Sequence, residues 1–504
     1  MTNSGISASA MGSGRGWLRR GLLMLPLVCA AALAAANPAK ADILDNVFSI
    51  FQPDNDREIG AQQHDRVVAQ YGGEYIQPGL NDYILDVGLR LAFVSEMRDL
   101  PWRFTILNSP VVNAFALPGG YVYITRGLLA LANNEAEVAG VLAHEIGHVT
   151  ARHGAERQSR ATGIGLLGAL AGILTGSQAV GQIGQQLGGL YVAGYSRDQE
   201  YEADQLGVKY LGLAGYPREA MADFLKRMEA QTRYMAALTG NSAGGSFDFF
   251  ASHPQTADRV GRASASASAK SDNLDRAYEK ARYLDAINGM LYGDDPKEGI
   301  IRGREFLHPP LRFKFDAPQG FQLINSSNAV YAVDGNGNQM VFDIRTQKSA
   351  GQSMSNYMKR EWLAKIDVPS ISATEIGGAP AAVARFALNQ NGKRAYFTVA
   401  AIDFGDGRVA RFIYQAVSND SGLSSRFTES FSSFRKMSAA EAAEIRPATV
   451  VMETVRQGDS LEQIVGRMAN IVEDKKALFL LLNPAFEQGM PAAGQPYKTV
   501  QYGT

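Results

Sequence analysis

Apolar residues recur every three to four positions over Glu58 to Gln70, Leu80 to Ser95, Glu135 to His153 and Arg218 to Thr239. That is the spacing of helices that bury one face. Between them, Phe104 to Leu107 and Val111 to Thr125 have strand texture, the latter broken by a Pro118-Gly119-Gly120 turn. Ala263 to Lys270 (ASASASAK) is low-complexity and reads as a linker, and Asn273 to Tyr292 reads as a further helix. Residues 42–270 are therefore expected to form a mainly helical domain, with 271–304 a helical linker.

The pattern changes after Pro309-Pro310. Arg312 to Phe315, Gln339 to Arg345, Ala381 to Leu388, Ala395 to Phe404 and Arg408 to Val417 have the composition of strands. Tight turns at Asp334-Gly335-Asn336-Gly337, Asn391-Gly392 and Gly405-Asp406-Gly407 separate several of them. Met354 to Lys365 and Leu423 to Phe434 look helical. An α+β domain is expected over 305–437, then a Met437-to-Pro447 linker and a small third piece over 450–504.

The first 41 residues read as a cleavable signal peptide. Arg15, Arg19 and Arg20 precede the apolar run Gly21 to Ala35, and Ala39-Lys40-Ala41 suits cleavage before Asp42. The run is short for a membrane span, which needs about 20 apolar residues. Cys29, the one cysteine, follows Leu27-Val28 rather than the small residue a lipidation site wants. Export to the periplasm, peripheral to membrane or wall, is the expectation. Ile164 to Ile173 (IGLLGALAGI) reads as part of a packed helical hairpin in preference to a lid or lipid-contacting element.

Composition narrows the function further. The 504 residues carry 49 Lys plus Arg against 50 Asp plus Glu, a net charge of −1. No global basic field is available to attract nucleic acid. No phosphate-loop motif and no convincing nucleophile elbow occur.

The chemistry-bearing motif is His144-Glu145-Ile146-Gly147-His148. On a helix, residues four apart lie about 40° apart around the axis and about 6 Å along it, so His144 and His148 can reach one metal ion. Imidazole suits zinc, and a catalytic site takes three protein ligands and leaves a place for water. Glu145 would stand beside that water as general base. The helix is expected to start at Asn133 or Asn134. A third ligand is sought in Glu200-Tyr201-Glu202-Ala203-Asp204, where Glu200 and Asp204 share a face. One carboxylate would bind metal and the other orient a histidine. Spacing alone leaves His153 and Glu202 open as ligands.

His144 to His153 (HEIGHVTARH), Asn113-Ala114-Phe115-Ala116-Leu117-Pro118-Gly119-Gly120 and the run Ser196-Arg197 through Glu200, Glu202, Ala203, Asp204 and Gly207 together resemble the BepA, LoiP and HtpX group of zinc metallopeptidases. The resemblance covers roughly residues 50–265. It implies a zincin-like peptidase fold of the gluzincin type with one Zn²⁺ per chain. His144, His148 and Glu200 would be the ligands, Glu145 the base and Asp204 the support of a ligand histidine. It also implies that Asn113, Ala114, Phe115 and Ala116 form an edge strand that holds an extended substrate. His253, in Ser252-His253-Pro254 with Arg259, would stabilise the oxyanion or occupy the open zinc position and hold the enzyme off. His153 reads as a capping or packing residue.

The implied activity is hydrolysis of peptide bonds in unfolded, misfolded or misassembled envelope proteins. The alternatives are an outer-membrane assembly chaperone with little proteolysis and a peptidoglycan-associated adaptor. HtpX-like membrane helices are not seen after the signal, and no 34-residue repeat follows the protease. The Phe313-x-Phe315-x-x-Pro318-x-Gly320-Phe321 stretch is similar to PsbP or Mog1-like domains. Val455 to Leu461 with Ile464, Leu481-Leu482-Asn483 and Gly494-Gln495 looks like a LysM module of βααβ form. The resemblances add peptidoglycan and the outer-membrane assembly machinery as expected partners.

Overall fold

A computed structural model describes residues 53–154, 195–239, 253, 257–267, 276–326, 329–349, 351–390, 393–472 and 474–503. The expectations for a signal peptide over 1–41 and for a helical hairpin at 163–194 lie outside these residues. The described residues from 57 onward belong to one compact unit.

The N-terminal part opens with α1 (Pro53–Gln70) and α2 (Leu80–Phe93), then β1 (Arg103–Leu107), β2 (Ala114–Leu117) and β3 (Tyr121–Thr125). Their sheet has the order β1-β3-β2, with β1 parallel and β2 antiparallel to β3. β2 therefore lies at an edge. Next come α3 (Arg126–Leu131), α4 (Glu135–Thr150), α5 (Arg197–Leu213), α6 (Ala220–Thr239), α7 (Ala257–Ala267) and α8 (Arg276–Ile287).

Helix α4 carries the HExxH motif and is buried along nearly its whole length, from Glu135 to Val149. Its composition explains this, since a helix apolar on all sides belongs in a core. Asn134, not Asn133, is the cap: its side chain accepts the Glu137 N–H at 2.8 Å. The helix stops at Thr150 rather than running to His153, because Arg152 turns into the left-handed region at φ 57°.

The low-complexity linker needs correction. Helix α7 continues through Ala267, and Ala263 and Ala267 are buried. With Val260 they form an i, i+3, i+7 stripe, of which Val260 and Ala263 pack against the main core. Alternating Ser and Ala hid a helix whose small apolar face fits a close contact. The expected helix to Tyr292 and helical linker 271–304 also change. α8 ends at Ile287, Gly289 takes φ 80°, and β4 (Leu291–Tyr292) and β5 (Ile300–Arg302) follow.

The α+β part begins at β5. Strands β6 (Glu305–His308), β7 (Phe313–Asp316), β8 (Gln322–Ser326), β9 (Ala329–Val333) and β10 (Gln339–Thr346) lead to a short helix α9 (Met354–Tyr357). β11 (Ile371–Ile376), β12 (Ala379–Gln390), β13 (Lys393–Gly405), β14 (Arg408–Ala416), α10 (Ser421–Ser432) and β15 (Arg435–Lys436) complete it. A seven-stranded antiparallel sheet, β11-β12-β13-β14-β10-β9-β8, packs with a four-stranded one, β15-β7-β6-β5. A phenylalanine core that includes Phe306, Phe313, Phe315, Phe342 and Phe412 joins them to α10. Met354, Tyr357 and Met358 cover the other face.

After α11 (Ala439–Ala443), the chain runs β16 (Ala448–Thr454), α12 (Leu461–Gly466), α13 (Lys475–Leu482) and β17 (Pro496–Tyr502). This βααβ piece is not self-contained. β16 pairs with both β17 and β4. Val450, Ile464, Leu478, Phe479 and Tyr497 share one core with α2, α4 and α6. The fully buried Lys498 donates from Nζ to the carbonyls of Ala130, Leu131 and Ala132 at 2.7, 3.1 and 2.6 Å, closing the C-terminal end of α3.

Candidate metal centre

Helices α4 and α5 approach closely because small residues face each other. A Cβ on Gly147 would stand 3.0 Å from the Ala203 carbonyl oxygen and 3.2 Å from its Cα. Gly207 similarly lets α5 lie 3.3 Å from the His144 nitrogen, measured from an added Cβ. The crossing brings Glu200 and Asp204 against the two histidines of α4. A capping box at Ser196 and Gln199 starts α5 one turn before Glu200.

His144, His148, Glu200 and His253 each offer one ligand atom, all within 4.8 Å of one another, and all four residues are buried. His144 Nε2 is 3.0 Å from His148 Nε2 and 3.3 Å from His253 Nδ1. Glu200 Oε1 lies 3.5 Å from His148 Nε2 and 3.1 Å from His253 Nδ1, and its Oε2 lies 3.6 Å from His144 Nε2. A tetrahedral zinc shell with bonds of about 2.0–2.1 Å has edges of about 3.3–3.4 Å. The separations scatter around that value, so the donor set fits zinc in size and in chemistry. Left to themselves, these nitrogens and oxygens have little reason to converge in a dry interior.

Charge is arranged to the same end. Burial and the neighbouring His144 push His148 well below its ordinary range, which keeps it neutral as a ligand must be. His144 differs: burial would lower it, but Asp204 and Glu200 overturn this and raise it to about 9, so a cation binding there would have to displace its Nε2 proton. Burial opposes ionisation of Glu200, yet His253 and His144 hold its carboxyl well below the usual carboxylate range. Burial raises Glu145. Both Glu145 oxygens are buried without a hydrogen-bond partner among the described residues, and Oε1 lies 3.4 Å from His253 Nε2. A desolvated, underused carboxylate with a raised pKa has the properties of a general base.

Asp204 sits behind His144, Oδ1 to Nδ1 at 3.0 Å. Arg259 of α7 grips Asp204 through Nε and Nη2, both at 2.8 Å, and reaches Glu200 Oε2 with Nη1 at 2.8 Å. Sequence reasoning quoted Arg259 without a role. Its Asp-Arg pair within α7 carried no spacing signal towards residues 55 positions earlier. Tyr195 was missed altogether: its ring stacks on His148 with centroids 3.8 Å apart and planes 15° apart. Glu202 and His153, left open as ligands by spacing, stand outside the cluster. His153 Nδ1 is 2.9 Å from His148 Nδ1, and His153 Nε2 is 3.3 Å from Glu202 Oε2.

Of the expected substrate strand, Ala114, Phe115 and Ala116 belong to β2 and Asn113 precedes it. Asn113 is tied to Thr125 by backbone and hydroxyl bonds. Phe115 stacks on Tyr123 at 4.9 Å, anchoring one face, and β2 lies against α4. The edge of β2 away from β3 pairs with no described strand.

Residues 78–267 match the profile of peptidase family M48. A beta-barrel assembly-enhancing protease of Escherichia coli (strain K12) is 31% identical over 233 residues, covering 42% of this chain and 47% of that protein. The mitochondrial metalloendopeptidase OMA1 of Schizosaccharomyces pombe is 30% identical over 218 residues, 42% of this chain and 61% of that protein. The chain thus spans about half the length of the curated relatives it matches. Among solved structures, LpqN, involved in cell envelope biogenesis of Mycobacterium tuberculosis, aligns with 25% of this chain and 83% of its own at 12% identity and a TM-score of 0.20, which carries no argument.

Proposed function

We propose that this chain, whose residues 78–267 are an M48 peptidase domain, is a zinc-dependent metalloendopeptidase of the cell envelope that cleaves misfolded or misassembled proteins. The observation that carries the reading is the tetrahedral-sized cluster of His144, His148, Glu200 and His253, with the buried Glu145 carboxylate beside it and no hydrogen bond to its oxygens among the described residues.

His144 and His148 from α4 and Glu200 from α5 would hold the ion. When bound, zinc polarises the scissile carbonyl and lowers the pKa of the attacking water. Glu145 takes the proton of that water and passes it to the leaving amine. Asp204 keeps the Nδ1 proton of His144 in place, so Nε2 faces the metal. Arg259 holds the second oxygen of Glu200 and both oxygens of Asp204. The free edge of β2, with Asn113, Ala114, Phe115 and Ala116, is suited to main-chain pairing with an extended peptide across α4.

His253 decides the resting state. Its Nδ1 lies 3.3 Å from His144 Nε2, where it would compete with water if His144, His148 and Glu200 held a zinc ion, and its Nε2 faces Glu145. This position favours a latched enzyme over the oxyanion role. It also lends weight to the second reading, an outer-membrane assembly chaperone that seldom cleaves. The βααβ order of residues 448–502 supports a LysM-like module and a peptidoglycan contact, and the similarity to a bacterial beta-barrel assembly-enhancing protease supports a role beside β-barrel assembly. Export of this chain to the periplasm rests on its N-terminal sequence. Sedimentation with purified peptidoglycan sacculi tests the wall contact.

The main test is zinc content and casein cleavage by the parent protein, Glu145→Gln and His253→Ala. The expected result is about one zinc per chain in the parent and Glu145→Gln, cleavage lost in Glu145→Gln, and faster cleavage by His253→Ala. Zinc without cleavage in the parent and in His253→Ala would replace the peptidase by the chaperone reading. Slower cleavage by His253→Ala would reassign His253 to the oxyanion.

A further inference from the structure

Behind the four converging atoms runs a second line of contacts that leads to solvent. His148 turns Nε2 towards His144 and Glu200 at 3.0 and 3.5 Å, and its Nδ1 towards His153 Nδ1 at 2.9 Å. His153 is buried, and its Nε2 lies 3.3 Å from Oε2 of Glu202, whose side chain is 60% exposed. The two histidines of α4 are thus backed differently. His144 has a carboxylate behind it, Asp204, whereas His148 has a second imidazole.

The backbone holds this arrangement at a cost. α4 ends at Thr150, and Arg152 adopts φ 57°, a conformation that residues other than glycine seldom take. The reversal brings His153 back beneath the last helical turn instead of letting it project onward. Tyr195 closes the opposite side, stacked on His148 and 6.0 Å in ring centroid distance from His153.

We propose that His153 is a positioning residue for the metal: it fixes the tautomer and ring plane of His148, and Glu202 completes the chain at the surface. The inference rests on the zinc reading above. One set of protons satisfies the whole chain. A metal ligand offers the Nε2 lone pair, so the proton of His148 sits on Nδ1 and is donated to His153 Nδ1. His153 then carries its proton on Nε2 and donates it to the Glu202 carboxylate. The other tautomer of His148 would place a proton where the metal binds. A neighbour that selects the correct one raises affinity, and loss of such neighbours costs about 10–100-fold in metal binding.

Zinc affinity, measured by chelator competition on the full chain, is the test, with thermal melting of the chelator-treated protein alongside. The His153→Phe variant is expected to bind zinc about 10–100-fold more weakly with the melting temperature of chelator-treated protein unchanged. His153→Asn, whose Oδ1 can accept in place of Nδ1, is expected to recover most of the affinity. Equal affinity for parent and His153→Phe overturns the proposal while leaving the zinc reading intact; a parent that binds no zinc overturns that reading itself. Should His153→Phe fail to fold, exposed Glu202→Ala decides. A fall in affinity of threefold or more supports the chain, and an unchanged value overturns it.

Discussion

An ionisable residue takes its character from the atoms that face it, and two histidines here, one fully buried and one half-buried, show opposite outcomes. His144 lies among carboxylates and is raised to about 9 despite burial. His308, on β6, lies between Phe306 and Phe313 and is lowered to about 4 by burial. Its Nδ1 accepts the Leu311 N–H at 3.3 Å, which requires the neutral ring. The folded form therefore resists a proton that the unfolded chain accepts near the ordinary pKa of 6.5. Stability is full above that pH and falls as pH drops from about 6.5 towards 4. Chemical denaturation of the parent and His308→Gln at pH 7.5 and 4.5 should show a smaller loss in the variant. An equal loss in both would assign the acid sensitivity to other groups.

At the scale of elements, the centre depends on how near α5 can come to α4. The pair meets on Gly147, Ala203 and Gly207, and the nearest obstacles to a Cβ at Gly147 are backbone atoms of Ala203 that cannot rotate away. Gly147→Ala should wedge the helices apart by a few tenths of an ångström and carry Glu200 from its histidine partners. A loss of about 1–3 kcal/mol is expected from overpacking, together with weaker zinc binding. Melting temperature and chelator competition measure the two effects separately. A variant that keeps both values would show that the crossing has slack. A small face serves α7 in a similar way: Ala263 and Ala267 are buried where α7 packs on α5 and α6, in a run that looked like a linker.

Across the whole molecule, distant segments converge on the start of α4. Lys498 and Ala132 are 366 residues apart, yet the ammonium group takes three carbonyls at the end of α3, just before α4 begins. Arg126, also in α3, donates to the Leu291 and Gly293 carbonyls and to Asn108. Asn483, a position that suits a glycan-binding module in the sequence, is buried and bonded to the backbone of Phe479 and Lys498. The C-terminal piece is thereby built into the same core as the HExxH helix. Replacing Lys498 by Met should leave the Ala130–Ala132 carbonyls without their donor and lower stability by about 2–3 kcal/mol. Urea unfolding should then show α4 and the C-terminal piece losing structure together; two separate transitions would contradict the shared core.

Local periodicity was enough to identify the HExxH helix, because a spacing of four brings two histidines to one side wherever that helix lies. It also placed most long strands of the α+β part, whose alternation reports a sheet with a buried face. The third donor could not be read that way. Spacing put Glu200 and Asp204 on one face but left Glu202 and His153 open, and the close crossing at Gly147 and Ala203 brings Glu200 into the cluster and Asp204 behind His144. The contacts of Tyr195 and Arg259 and the approach of His253 to the cluster likewise come from packing. Helical spacing is a property of neighbouring residues and is written in the chain. Which faces meet, and at what distance, depends on volumes contributed by segments tens to hundreds of residues apart, and only the folded structure brings those together.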